Sequence, residues 1–98
     1  ISGLVGSEMC IRDRVSGESM KDAGLDDGDI LVIDRSERLK NNKIAVCYLN
    51  GEFTVKRVKI ERDHVYLVPE NKNYDPIKVT EENEFIVWGV VTYVVKKV

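Results

Sequence analysis

Ser19, in Val15-Ser16-Gly17-Glu18-Ser19-Met20, and Lys56, in Phe53-Thr54-Val55-Lys56-Arg57, are the residues whose types and settings suit nucleophilic chemistry. A serine hydroxyl attacks a carbonyl only if a neighbouring base takes its proton. The single histidine, His64, follows Glu61-Arg62-Asp63 in a polar segment. Nothing near it suggests a positioned nucleophile, so a solvated turn histidine is favoured over a member of a Ser-His-Asp triad. Lysine is the other base available. Its ordinary pKa of about 10.4 keeps it protonated, and burial must lower that value before it can accept a proton. Strand alternation would put Lys56 on one face with Thr54 and Val58, while Phe53, Val55 and Arg57 face the other way. If the lysine face is covered, an ammonium there is costly unless neutral or paired. The other reading is a half-exposed lysine that snorkels to water, the commoner fate, and spacing alone favours it. For Ser19, Gly17 permits a sharp turn and the serine would open a short helical turn. Backbone N–H groups and a positive dipole end there suit an oxyanion hole. A plain N-cap serine fits equally well, and residue types do not choose between the two.

The elements that must position these residues read as β. Ile44 to Leu49 and Glu52 to Val58 are β-prone runs joined by Asn50-Gly51, which predicts a type I′ hairpin. Ile30 to Asp34 is a short apolar strand, preceded by the turn Asp26-Asp27-Gly28-Asp29. His64 to Val68 and Ile77 to Val79 are further strands, separated by the turn-rich Pro69 to Asn73. Phe85 to Val95 is rich in β-branched and aromatic residues, with Gly89 marking a bulge or bend. Only Ser19 to Ala23, closed by Gly24, reads as helical, for about one turn. The expected class is all-β, mainly strand with one or two short helical turns.

Composition narrows the function. With 98 residues the chain makes one domain, large enough to fold without staples. Lys and Arg number 15 against 17 Asp and Glu, giving a net charge of −2 and a pI of about 5.4. A dedicated nucleic-acid binder needs a basic face, so direct nucleic-acid binding is not expected. Cys10 and Cys47 lack metal-ligand spacing and are too few for a disulfide framework. Asp26, Asp27 and Asp29 fail the EF-hand spacing and read as a solvated turn. No metal or cofactor is expected. Glu81, Glu82 and Glu84 read as an exposed connection. Tyr48, Tyr66, Phe85 and Trp88 read as core or dimer contacts rather than a base-stacking platform. The longest apolar run is broken by Gly89, Thr92 and Lys96, and no signal stretch opens the chain, so a cytoplasmic protein is expected.

Residues 1–14 stand apart. Gly3, Gly6 and Ser7 interrupt any periodicity, and Arg12-Asp13-Arg14 adds a charge cluster. Ser7-Glu8-Met9-Cys10 lacks the small residues a lipidation site needs. Ile1 is not an initiator, which suggests a fragment or processed form. The stretch also resembles translated sequencing-adapter DNA, and the expected division is a foreign or disordered segment 1–14 followed by a domain 15–98.

A family resemblance chooses among the readings left open. The nucleophile segment Val15–Met20, followed by Asp27-Gly28-Asp29-Ile30-Leu31-Val32-Ile33-Asp34, resembles that of the LexA/UmuD peptidases. Phe53-Thr54-Val55-Lys56-Arg57 resembles the strand that carries their catalytic lysine. Leu67-Val68-Pro69-Glu70-Asn71 with Tyr74, Pro76 and Ile77, then Trp88-Gly89-Val90-Val91, match two later blocks in order. The resemblance covers residues 15–98 and implies a twisted antiparallel β-sheet domain like that of LexA and signal peptidases. It further implies Ser19 as nucleophile, Lys56 as base, and the amides of Glu18 and Ser19 as oxyanion donors.

Gly51 to Lys56 and Gly89-Val90-Val91 resemble UmuD more than LexA. That likeness implies an autoproteolytic serine endopeptidase of the SOS response that removes its own N-terminal arm. The stimulus would be a RecA filament on single-stranded DNA. The trimmed homodimer would serve a Y-family polymerase in translesion synthesis. The rival is the dimerisation and autocleavage domain of a LexA-like or phage repressor, and a binding-only subunit is a third reading. The front departs from the family: an apolar strand should lead into Val15, preceded by an Ala-Gly or Cys-Gly cleavage bond. Here Ile11 follows Cys10, nine positions before Ser19 (19 − 10 = 9). No cleavage site and no helix-turn-helix is expected in this chain.

Overall fold

Asn50-Gly51 is the strongest local instruction in the chain, and the sheet grows outward from it. The computed structural model describes residues 2–6, 10–96 and 98. Asn50 and Gly51 have φ of 49° and 92°, the two left-handed conformations a type I′ turn requires. In chain order the strands are β1 (Ser2–Gly6), β2 (Cys10–Arg14), β3 (Ile30–Asp34), β4 (Lys43–Leu49) and β5 (Glu52–Ile60). They continue as β6 (Val65–Val68), β7 (Ile77–Val79) and β8 (Phe85–Val95). All join one antiparallel sheet in the order β1-β2-β3-β8-β4-β5-β6-β7. The one helical piece described is a 3₁₀ turn, Lys21–Ala23, ended by Gly24 at φ 83°. The all-β expectation holds.

Residues 1–14, set apart by their sequence, contribute two of these strands. β2 pairs with β3 from Cys10↔Asp34 to Arg14↔Ile30. A ladder needs only an extended backbone, so an open strand edge accepts a partner whose side chains show no period. Ser7, Glu8 and Met9, weighed above as part of a lipidation site, lie outside the described residues.

β8 lies between β3 and β4, and it is bulged against both. Val46 faces Gly89 while Cys47 faces Val87, which leaves Trp88 as the extra residue. Val32 faces Tyr93 while Ile33 faces Val91, which leaves Thr92 as another. Its hydroxyl donates to the Val32 carbonyl at 3.1 Å. Bulges increase local twist and bend the strand that carries them. A Cβ on Gly89 would stand 2.5 Å from Ile33 Cγ2, so this crossing demands glycine.

Alternation along β4 and β5 divides the core. Val46 and Val55 face one way, with Leu31, Ile33, Leu25, Met20 and Val15. Ala45, Cys47 and Val58 face the other, with Leu67. Each large apolar side chain buried here contributes roughly 1.5–3 kcal/mol. Among the described residues no helix is long and apolar enough to cross a membrane.

Candidate active site

Lys56 sits mid-strand in β5, opposite Ala45 of β4, and keeps only 9% of its accessible surface. Its covered position answers the question that spacing left open: the snorkelling reading is set aside. Burial pulls its pKa below the ordinary lysine value. Cys47, across from Thr54, is fully buried, and burial pushes its thiol up to about 12. Near neutral pH it is therefore a neutral thiol, and burial outweighs its influence on the lysine.

Ser19 arrives on the segment between β2 and β3. Met20 and Leu25 anchor that segment by burying their side chains, with 3% and 1% exposed. Val15 N–H donates to the Asp29 carbonyl at 2.8 Å, and Gly28 N–H returns a bond to the Val15 carbonyl at 2.9 Å. Gly17, at φ 92°, donates its N–H to Asp27 Oδ1 at 2.9 Å. The loop after β6 buttresses the other side. The Glu70 carbonyl accepts from Asp22 N–H at 2.6 Å, and Asn71 Nδ2 donates to the Glu18 carbonyl at 2.8 Å. Arg57 pairs with the Glu70 carboxylate and donates to the Asn42 carbonyl at 2.6 Å.

The helical turn is shorter than the expected Ser19 to Ala23: it begins at Lys21 with Met20 in the cap position and no side-chain cap bond, so the N-cap alternative for Ser19 is not realised. The Ser19 hydroxyl is engaged elsewhere, as acceptor from Lys56.

Lys56 Nζ lies 2.8 Å from Ser19 Oγ, 2.8 Å from Thr54 Oγ1 and 3.1 Å from the Val55 carbonyl. Three acceptors match the three N–H donors of an ammonium. After one proton leaves, the two remaining N–H groups suffice for Thr54 and Val55. The nitrogen lone pair then faces the Ser19 hydroxyl, the arrangement in which an amine can take that proton. Ser19 and Lys56 line one cleft with Gly17, Met20, Phe53 and Val55, so a hydroxyl and a desolvated amine meet beside apolar walls. His64 lines a separate depression with Lys78 and Thr80 and stacks edge-on with Tyr66, centroids 6.5 Å apart. Among the described residues no group of three His, Cys, Asp or Glu side chains is placed to hold a metal ion.

Three contributors escaped the sequence reading. Thr54 was assigned to the lysine face, but not as a partner of the amine. The acidic turn is structural rather than solvated at Asp29, which is 8% exposed. Lys96 donates to Asp29 Oδ2 at 2.5 Å and to Asp26 Oδ2 at 2.9 Å, and the first bond holds the Asp29 carboxyl below the usual range. Asn71 stands in one of the family blocks, but nothing in the sequence says what its amide reaches. The aromatic residues form an edge-to-face row: Tyr48–Phe53 at 5.4 Å and Phe53–Trp88 at 5.9 Å, with Arg35 over Trp88 at 4.3 Å.

Residues 3–92 match the family described as Peptidase S24-like, a match that begins ahead of Val15, where the quoted resemblance starts. The LexA repressor of Oleidesulfovibrio alaskensis is 39% identical over 92% of this chain and 44% of its own length. The LexA repressor of Clostridium novyi is 45% identical over 76% of this chain and 36% of its own length. Protein MucA of Salmonella typhimurium is 40% identical over 88% of this chain and 64% of its own length. The chain thus spans between about a third and two-thirds of these curated relatives.

Proposed function

The chain belongs to the Peptidase S24-like family, and from that premise we propose that Ser19 and Lys56 form the catalytic dyad of an autoproteolytic serine endopeptidase. The observation that carries this reading is the 2.8 Å contact between Lys56 Nζ and Ser19 Oγ in a cleft where burial lowers the lysine pKa. Neutral Lys56 takes the hydroxyl proton as Oγ bonds to the scissile carbonyl carbon. The amides of Glu18 and Ser19 receive the oxyanion. Lys56 then passes its proton to the departing amine nitrogen, the C–N bond breaks, and an acyl-serine is left. Water, deprotonated by the same lysine, then attacks the acyl carbon, the ester C–Oγ bond breaks, and the lysine returns the proton to Ser19 Oγ.

The biological setting we propose is that of UmuD. The protein cuts an N-terminal arm under stimulation by RecA on single-stranded DNA, and the trimmed homodimer serves a Y-family polymerase. Resemblance supports this, as does the apolar end of β8, where Tyr93 and Val95 are 71% and 50% exposed. The relatives named LexA repressor favour a second reading, the autocleavage domain of a repressor. Upstream codons encoding a helix-turn-helix would select the repressor, and an adjacent polymerase gene the UmuD role.

The test is cleavage in trans of a separately supplied arm peptide carrying an Ala-Gly bond, followed on gels. Ser19→Ala and Lys56→Ala should each abolish cutting. Lys56→Arg should not restore it, because a guanidinium stays protonated, and His64→Ala should cut like the parent. Activity should rise from neutral pH toward 10 as more Lys56 becomes neutral. Substantial cutting by Lys56→Ala, or its loss in His64→Ala, would mean a different base.

A further inference from the structure

The peptide unit between residues 18 and 19 carries two groups at once, the Glu18 carbonyl and the Ser19 N–H. A trans amide is planar, so these point in opposite directions, and whatever grips one aims the other. The Glu18 carbonyl accepts from Lys21 N–H at 3.1 Å and from Asn71 Nδ2 at 2.8 Å. Lys21 belongs to the same segment and moves with it. Asn71 comes from 53 positions away and is itself fixed. Its Oδ1 accepts Asn73 N–H at 3.0 Å, and its carbonyl accepts Tyr74 N–H at 3.0 Å. The Asn73 bond identifies Oδ1 as the acceptor and leaves Nδ2 to donate.

The same loop is tied to the strand that carries the base. Glu70, next to Asn71, pairs its carboxylate with Arg57, next to Lys56, while its carbonyl holds Asp22 N–H. The serine segment has little stiffness of its own, with Gly17 at φ 92° on one side and a three-residue 3₁₀ turn on the other. Ser19 lines the dyad cleft, and the Glu18 carbonyl is drawn off toward Asn71.

We propose that Asn71 is a positioning residue, which turns the Glu18–Ser19 peptide so that the Ser19 N–H faces the oxygen of the carbonyl under attack. The proposal rests on the dyad reading above. Asn71 touches no reacting atom; it acts through the peptide it holds. An oxyanion donor is effective only when aimed before charge develops, because reorientation during the reaction would cost part of what it contributes.

Asn71→Asp separates this role from a structural one. The aspartate keeps an oxygen for Asn73 N–H, loses the donor to Glu18, and sets a negative charge against that carbonyl. Asn71→Ala loses both bonds. In trans cleavage of the Ala-Gly arm peptide, both variants should lose about 10- to 100-fold in kcat, with KM within about 2-fold, the pattern of an interaction made in the transition state. In Asn71→Ala, which adds no charge, the pH midpoint of the activity should stay at the parent's value, because no ionisable group near Lys56 is gained or lost. The Ser19 amide resonance in a ¹H–¹⁵N spectrum should move in Asn71→Asp, a readout independent of turnover. Parent-like kcat in Asn71→Asp, with Ser19→Ala inactive, would overturn this inference and leave the dyad standing. A moved pH midpoint in Asn71→Ala, or activity that falls only in step with melting temperature across the two variants, would make Asn71 structural and overturn it as well. A parent that does not cut, or a Ser19→Ala protein that does, removes the dyad reading and this proposal with it.

Discussion

Lys56 and Ser19 meet at one point but are held by different kinds of structure. β5 is laddered to β4 along seven residue pairs and to β6 along four, so the position of the lysine follows from strand register. The serine segment has no ladder. It rests on a few separate bonds, from Asp27, Asp29, Glu70 and Asn71, and on two buried side chains. A register moves as a whole or not at all, whereas separate bonds can be removed one at a time. The strand side should therefore respond to mutation mainly in stability, and the loop side mainly in rate.

Gly89→Ala is the hardest blow to the strand side. Its added methyl would stand 2.5 Å from Ile33 Cγ2, an overpacking that costs about 1–3 kcal/mol. Thermal melting should fall by roughly 5–15 °C for a domain of this size, and the kcat of the folded fraction should stay near the parent's. If kcat collapses in the folded fraction, the division between the two sides is wrong.

Asp27→Ala should do the opposite. Losing the acceptor of Gly17 N–H should reduce kcat by about 10-fold through misplacement of Ser19, the proposed nucleophile. The melting temperature should stay within about 3 °C, because the bond is exposed. A large loss of stability with normal kcat would reverse the assignment.

Lys56→Met sharpens the comparison through pH. The folded lysine pKa lies below its unfolded value, so between the two the unfolded chain holds the extra proton. Stability of the parent then rises with pH through that window, as the cost of burying charge is relieved. Denaturation midpoints from pH 7 to 10.5 should climb for the parent and stay flatter for Lys56→Met. Parallel curves would show that the lysine is not desolvated.

Lys96→Gln should have the smallest effect. The Lys96 head is half exposed and its Asp26 partner more so, although Asp29 is covered, and pairs open to water on one side contribute little. The Asp29 carboxyl titrates below its usual range, so its contribution is present above about pH 4 and lost as pH falls further. Acid melting curves of parent and Lys96→Gln should converge there, and high salt should shrink their difference at neutral pH.

Much of the fold was legible because the instructions are local. β3, β7 and β8 have the bounds their β-branched runs suggest, and Asn50-Gly51 fixes its hairpin by backbone conformation alone. β1 and β2 were not legible, because ladder pairing leaves no trace in side-chain period. The covered position of Lys56 was not legible because β5 packs on both faces, with Val55 in one core cluster and Val58 in the other, whereas alternation alone suggests one open face. The pairing of Ser19 with Lys56 could be read only from the order of the family blocks. Asn71 stands in a family block, but its contact with Glu18 could not be read, since a turn asparagine looks the same whatever its amide reaches.

The contrast between a local hairpin and a distant serine also sets an order of assembly. β4 and β5 are joined by two residues, and such hairpins close in roughly 1–10 μs. Ser19 must find Lys56 across 37 positions. Its segment leans on β3, and β3 is zipped to β8, the last of the described strands, from Ile30↔Val95 to Asp34↔Val90. Contacts of such separation form late. On a chain still leaving the ribosome, the serine emerges first and waits without its amine, and the amine waits without its final neighbour. The contact comes into being with β8, so a copy that lacks this strand should hold Ser19 and Lys56 apart.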